Sequence, residues 1–106
     1  MPSFSVRCIF RWEPRHDQRH KHLYEERITL WMASNIDDAI ALAEEEARAY
    51  ASAGDEYLEF CQAYSLPDAI DQTGVEVFSL LRESDLDREQ YLAAFFGTGQ
   101  ERESAV

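Results

Sequence analysis

Glycine, proline and cysteine are scarce in this chain, at four, three and two among 106 residues. So few glycines leave little material for a phosphate-cradling loop, and no Gly-rich nucleotide motif is present. Cys8 and Cys61 are too few for a disulfide framework, and no Cys-x-x-Cys pair exists. Both lie in apolar strand patterns and read as buried thiols. No apolar run approaches the ~20 residues that span a bilayer, so no membrane partner is expected. The start, Met1 to Phe4, has no charged region followed by an apolar run, so no signal peptide is expected and the expected location is cytoplasmic. Positive charge is also short: 10 basic residues stand against 21 acidic ones, a formal net charge of -11. That field repels a phosphate backbone, and nucleic acid is not an expected partner. A basic protein partner is easier to accommodate, although acidity also serves solubility alone.

What is present suits one folded domain. Hydrophobic residues make up 45% of the chain and aromatics 12%, enough for a single core. Ser3 to Trp12 alternates, with Phe4, Val6, Cys8, Phe10 and Trp12 on one side, which predicts a strand. Glu13 to His22 is a polar loop containing Pro14. Leu23 to Ala33 alternates again: Tyr24, Glu26, Ile28, Leu30 and Met32 share one side, and Leu23, Glu25, Arg27, Thr29 and Trp31 share the other. A helix of about 18 residues follows, with Ser34 as its expected cap, Asp37 and Asp38 in its first turn and Gly54 at its end. Ile36, Ala39, Ile40, Ala43, Ala47 and Tyr50 form its apolar stripe. Tyr57 to Leu66 and Val75 to Leu81 predict two more strands, separated by turn residues at Pro67-Asp68 and Asp71 to Gly74. A short helix capped by Asp87, with Gln90 three residues on, carries Tyr91, Leu92, Phe95 and Phe96 and ends at Gly97.

The expected fold is α+β: a four-stranded, mostly antiparallel sheet in the order β-β-α-β-β-α, with one long helix packed on one face. The third strand is expected to run parallel to the second. Residues 1–97 form the domain and 98–106 a flexible polar tail. Several strands carry large apolar residues on both sides, as at Ile9/Phe10, Leu30/Trp31 and Val77/Phe78. One helix covers one sheet face only, so the other requires the final helix, a ligand or a partner. The final helix is short, and a homodimer is the expected remainder of that cover.

Four pieces in fixed order carry a resemblance: Phe4-Ser5-Val6-Arg7, Leu23-Tyr24-Glu25-Glu26-Arg27-Ile28, Asp37-Asp38-Ala39-Ile40, and Gly74-Val75-Glu76-Val77-Phe78-Ser79. Together they resemble the bacterial domain-of-unknown-function family 4288 over about Ser3 to Arg82. The resemblance implies a small bacterial α+β domain and no activity. The His-rich loop and the Phe-rich final helix depart from it.

Chemistry-bearing residues are few. His16, His20 and His22 have imidazoles that could ligate a metal, but Arg15, Arg19 and Lys21 among them oppose a cation. A solvated loop is the plainer reading, and no metal or other cofactor is expected. Glu26 lies on an apolar strand side, where burial would perturb it or a cross-strand arginine, Arg7 or Arg11, would hold it. Tyr24, Glu25, Glu26, Arg27 and Glu76, with Trp12 and Trp31, are the candidate binding residues. No serine has a nucleophile-elbow context, and neither cysteine has a base that sequence can place. No residue is assigned as catalytic, and the chain reads more as a non-enzyme than as an enzyme. The leading expectation is a non-catalytic protein-interaction module of accessory or immunity type. The alternative is a small-molecule binder or small enzyme using Glu26 and Glu76 in a carboxylate-lined pocket on the sheet face.

Overall fold

The computed structural model describes residues 1–68, 71 and 73–96. The chain forms β1 (Ser3–Trp12), β2 (His22–Met32), α1 (Ile36–Tyr50), β3 (Glu56–Ser65), β4 (Val75–Ser84) and α2 (Arg88–Phe95). The expected α+β order holds, and the four strands make one sheet in the order β3-β1-β2-β4. Every neighbouring pair is antiparallel. β3 runs in the same direction as β2, as expected, but β1 lies between them. α1 therefore carries the chain across β1 to the far edge of the sheet.

The period-two pattern sets the two faces. Phe4, Val6, Cys8 and Phe10 of β1 lie opposite Trp31, Thr29, Arg27 and Glu25 of β2. α1 packs on this face through Ala39, Ala43 and Ala47, all buried. Their small side chains let the helix backbone approach the sheet closely. Tyr57 and Ala63 of β3 complete this core. The opposite face is covered over one part only. There Ile9, Tyr24, Tyr91 and Phe96 form a second, smaller core, with Tyr24 and Tyr91 stacked at 3.8 Å between ring centroids.

The helix ends differ from expectation. Asn35, not Ser34, caps α1, its side chain accepting from the Asp38 backbone N–H at 2.8 Å. Ser34 is one residue too early to reach that donor. α1 stops at Tyr50 with Ala51 as its cap, giving 15 residues rather than about 18. Gly54 does adopt a left-handed φ of 90°, but in the turn that leads into β3. Asp87 caps α2 with the reciprocal Gln90 bond, as the spacing predicts. Gly97 and the expected tail, 98–106, lie outside the described residues.

Both edge strands depart from regular pairing. On β3 the register slips, and Glu59 takes a left-handed φ of 57°. On β4 the register slips between the partners of Ile28 and Thr29, leaving Val77 opposite no residue of β2. β4 also runs three residues beyond its expected end at Leu81. β2 is long enough to pair Leu23 and His22 with Glu83 and Ser84, and that ladder outweighs the polar character of Arg82-Glu83-Ser84.

Tyr91 is the keystone of the smaller core, fully buried with its ring on Tyr24. Tyr91→Ala is expected to cost about 3 kcal/mol of unfolding free energy. Urea denaturation followed by circular dichroism checks this, and a cost below about 1 kcal/mol would show that α2 adds little to the fold.

Candidate functional site

Tyr24-Glu25-Glu26-Arg27 lies in the middle of β2, and all four residues are buried. Alternation sends Glu25 and Arg27 to the α1 face, and Tyr24 and Glu26 to the α2 face. Four consecutive polar or amphipathic side chains are thus taken from water on an interior strand, where every polar atom requires a partner.

On the α1 face, Arg27 donates from Nη1 and Nη2 to the two carboxylate oxygens of Glu46, at 2.6 and 2.8 Å. Its Nε donates to Glu76 Oε1 at 2.5 Å. Its guanidinium lies 3.7 Å from the centroid of the Tyr50 ring. One side chain thus ties β2 to α1 and to β4. The forked geometry of arginine suits the paired contact with Glu46. Glu25, 3% exposed, accepts from Trp12 Nε1 at 2.9 Å and from the Tyr50 hydroxyl at 3.0 and 3.1 Å. It also accepts from the Ser79 hydroxyl. Both carboxylate oxygens are occupied by protein donors. Burial, followed by the bond to Glu25, pushes the Tyr50 hydroxyl up to about 12.

On the α2 face, Glu26 accepts from Arg82 Nη1 at 3.0 Å and lies 3.6 Å from Arg7 Nη1. Of the two cross-strand arginines expected to hold Glu26, Arg7 is within ion-pair reach, while Arg11 pairs with Glu56 at 2.9 Å instead. The same Arg82 nitrogen donates to the Tyr91 hydroxyl at 3.0 Å. Arg7 and Arg82 cover the rings of Phe96 and Phe95, at 4.7 and 4.4 Å from their centroids. The Tyr24 hydroxyl donates to the Leu86 carbonyl at 2.8 Å, just before α2. Burial raises the Tyr24 hydroxyl to about 12.

The sequence candidates therefore separate. Glu25, Arg27, Glu76 and Trp12 come together on the α1 face. Trp31 is on the same face but at its other end, buried, with Nε1 donating to Thr29 Oγ1 at 2.6 Å. Glu26 is on the opposite face from Glu76, so the two do not line one pocket. Three cavities, of about 340, 310 and 280 Å³, lie beside Met32 and Leu42, beside Leu23 and Leu81, and beside Trp12 and Gly54. None of these three is lined by Glu25, Glu26, Arg27 or Glu76.

His16 and His20 are exposed, and His22 is half-buried near the Tyr24 ring. His20 Nδ1 pairs with Asp85 at 3.1 Å. That bond, with the Lys21 backbone N–H, holds the Asp85 carboxyl below its usual range. Among the described residues no group of three or more His, Cys, Asp or Glu side chains could hold a metal ion. Cys8 and Cys61 are direct cross-strand partners. Burial pushes the Cys8 thiol up to about 12, far from a reactive thiolate.

Tyr50, Glu46, Ser79, Arg82 and Tyr91 are partners of this run that the sequence does not single out. Their signal is weak: each lies 19 or more residues from the run, on an element whose contact sequence does not show. The two-sided Val77/Phe78 pattern does not by itself mark β4 as an exposed surface. Val77, Phe78, Leu80 and Leu81 are 52, 46, 37 and 40% exposed. Of the large hydrophobic residues exposed among the described residues, these four lie together on one strand, whereas Met1, Leu42 and Phe95 lie elsewhere.

Two predictions test the structural role of the run. Arg27→Met should cost about 2 kcal/mol, less than the 3–5 typical of a fully buried pair, because Glu46 and Glu76 retain some solvent. Glu25→Ala should cost more than Glu25→Gln in the same urea titration, since the Tyr50 and Ser79 hydroxyls can rotate to accept from an amide. Equal costs would deny Glu25 its role as acceptor. The tyrosines add a pH signature. Tyr24 and Tyr50 ionise near 12 when folded, whereas an unfolded tyrosine ionises near 10. The folded state then holds its protons longer, so stability is complete below pH 10 and falls as pH rises toward 12. Alkaline unfolding followed by fluorescence checks this, and a flat profile through that window would contradict it. Comparison of the chain with family models, with curated proteins and with solved structures found no match.

Proposed function

We propose that the chain is a non-catalytic protein-interaction module whose contact surface is β4, including its free edge. The carrying observation is the contrast between two sets of residues. Glu25, Glu26, Arg27 and Glu76, the chemically capable side chains, are engaged with other protein groups. Val77, Phe78, Leu80 and Leu81 remain open to solvent. An exposed apolar edge strand is costly to leave unprotected, and its ordinary use is to receive another strand or surface. The resemblance to family 4288 enters this reading as proposed kinship and rests on the ordered sequence pieces alone. The net charge of -11 supports a basic partner only for contacts driven by charge, whereas contact at β4 is apolar. An accessory or immunity-type role and a bacterial cytoplasmic setting belong to the same proposal.

A photo-crosslinking residue placed at Val77, with the same residue at Glu45 of α1 as the control, tests the reading in the host cell. The expected result is a covalent adduct to another polypeptide, whether a different protein or a second copy, from Val77 and not from Glu45. Adducts from neither position, or equal adducts from both, would overturn the assignment to β4.

A further inference from the structure

The two edges of the sheet are protected unequally. β3 carries a left-handed glutamate, Glu59, on its irregular stretch, and Arg48 pairs with it at 2.6 Å. A kinked, charged edge resists strand addition. β4 has a kink at Val77, but from Phe78 onward its ladder to β2 is regular. Its centre, Val77-Phe78-Ser79-Leu80-Leu81, has no charge.

The exposed side chains lie on both faces of β4. Leu81 pairs with Glu25 and so belongs to the α1 face. Phe78 and Leu80 pair with Ile28 and Glu26 and belong to the α2 face. α1 sits over β3, β1 and β2, so β4 extends past its cover. A partner resting on either face would shield only one of these groups. A strand added alongside β4 shields both and also satisfies the outward backbone groups.

The pattern indicates which strand. Read from Ser79, the sequence is two apolar residues in each direction: Val77 and Phe78 before it, Leu80 and Leu81 after it. An antiparallel pairing about a two-fold axis at Ser79 sets Phe78 level with Leu80 of a second copy, and Leu80 level with its Phe78. It also sets Val77 level with the other copy's Leu81. No like charges meet at the centre of this seam. Such a contact is self-complementary, as two-fold symmetry requires. We infer that the chain forms a homodimer in which two β4 strands pair antiparallel about Ser79, joining the two sheets into one of eight strands.

This inference rests on the proposed role of β4 and narrows it to one occupant. The four side chains expose on the order of 300 Å² of apolar surface per copy, small for a permanent dimer. The two copies also repel through their net charge. The dimer is therefore expected to be weak and to tighten as salt screens that repulsion.

Sedimentation of the purified chain across concentration and salt tests this. The expected result is a monomer–dimer equilibrium that shifts toward dimer between low and high salt. A Phe78→Lys/Leu80→Lys variant should weaken it at least about tenfold while retaining the circular dichroism of the folded chain. As a second measurement that does not risk folding, a Phe78→Cys/Leu80→Cys variant should form a covalent dimer under mild oxidation, with each link joining position 78 of one copy to position 80 of the other. A monomer at every concentration and salt, or a dimer indifferent to the lysine changes, would overturn the inference. A monomer in solution combined with a Val77 adduct to a different protein would remove the homodimer and leave the interaction reading standing.

Discussion

Arg27 carries a full positive charge to a place where 7% of the residue meets solvent. An isolated charge there would be expensive, and only Glu46, Glu76 and the Tyr50 ring make it tolerable. Those partners come from two elements other than β2: Glu46 and Tyr50 from α1, and Glu76 from β4. The requirement to satisfy one guanidinium therefore fixes where α1 and β4 sit relative to β2. The neighbouring Glu25 adds β1 to the same arrangement through Trp12. One residue earlier and one later, the strand's alternation performs the same task on the other face. Tyr24 and Glu26 draw in Arg82, Tyr91 and the start of α2.

This arrangement explains why a run that looks like chemistry is better read as construction. A catalytic carboxylate needs a face left open to substrate, with an oxygen within reach of the proton it moves. Both oxygens of Glu25 accept from protein donors, and those of Glu26 meet Arg7 and Arg82. The polar centre of the molecule is engaged in holding two helices to opposite sides of one strand. The Cys8 thiol is likewise withdrawn, as its apolar strand pattern suggests, since burial keeps it protonated. Apolar side chains at the sheet edge, Val77, Phe78, Leu80 and Leu81, remain open to solvent.

Much of this fold was legible from alternation. Strand β1 has its expected bounds, and the two sides of β2 were assigned correctly because a period of two leaves no freedom once one face is buried. The need for a second cover on the sheet was legible for the same reason. Helix ends were less so: Ser34 and Asn35 are both good caps, and only the backbone decides which side chain reaches Asp38. The end of β4 was missed because Arg82-Glu83-Ser84 looks like a loop until the length of its partner is known. Glu76 and Glu26 were grouped as one pocket because sequence shows which residues share a face of one strand, not how the faces of two strands correspond. The register slip at Val77 shifts that correspondence by one residue, which no local pattern reveals.

If the Tyr24–Arg27 run is the structural centre and β4 the working edge, the two should differ sharply in how their backbones open. Native-state hydrogen exchange measured residue by residue compares them in one experiment. The account predicts that the amides of Glu25 to Arg27 exchange only through global unfolding, while outward amides of β4 between Phe78 and Leu81 exchange far faster in dilute protein. Fast, locally opening exchange at Glu25 to Arg27, equal to that of the β4 edge, would contradict it and return that run to consideration as a mobile functional site.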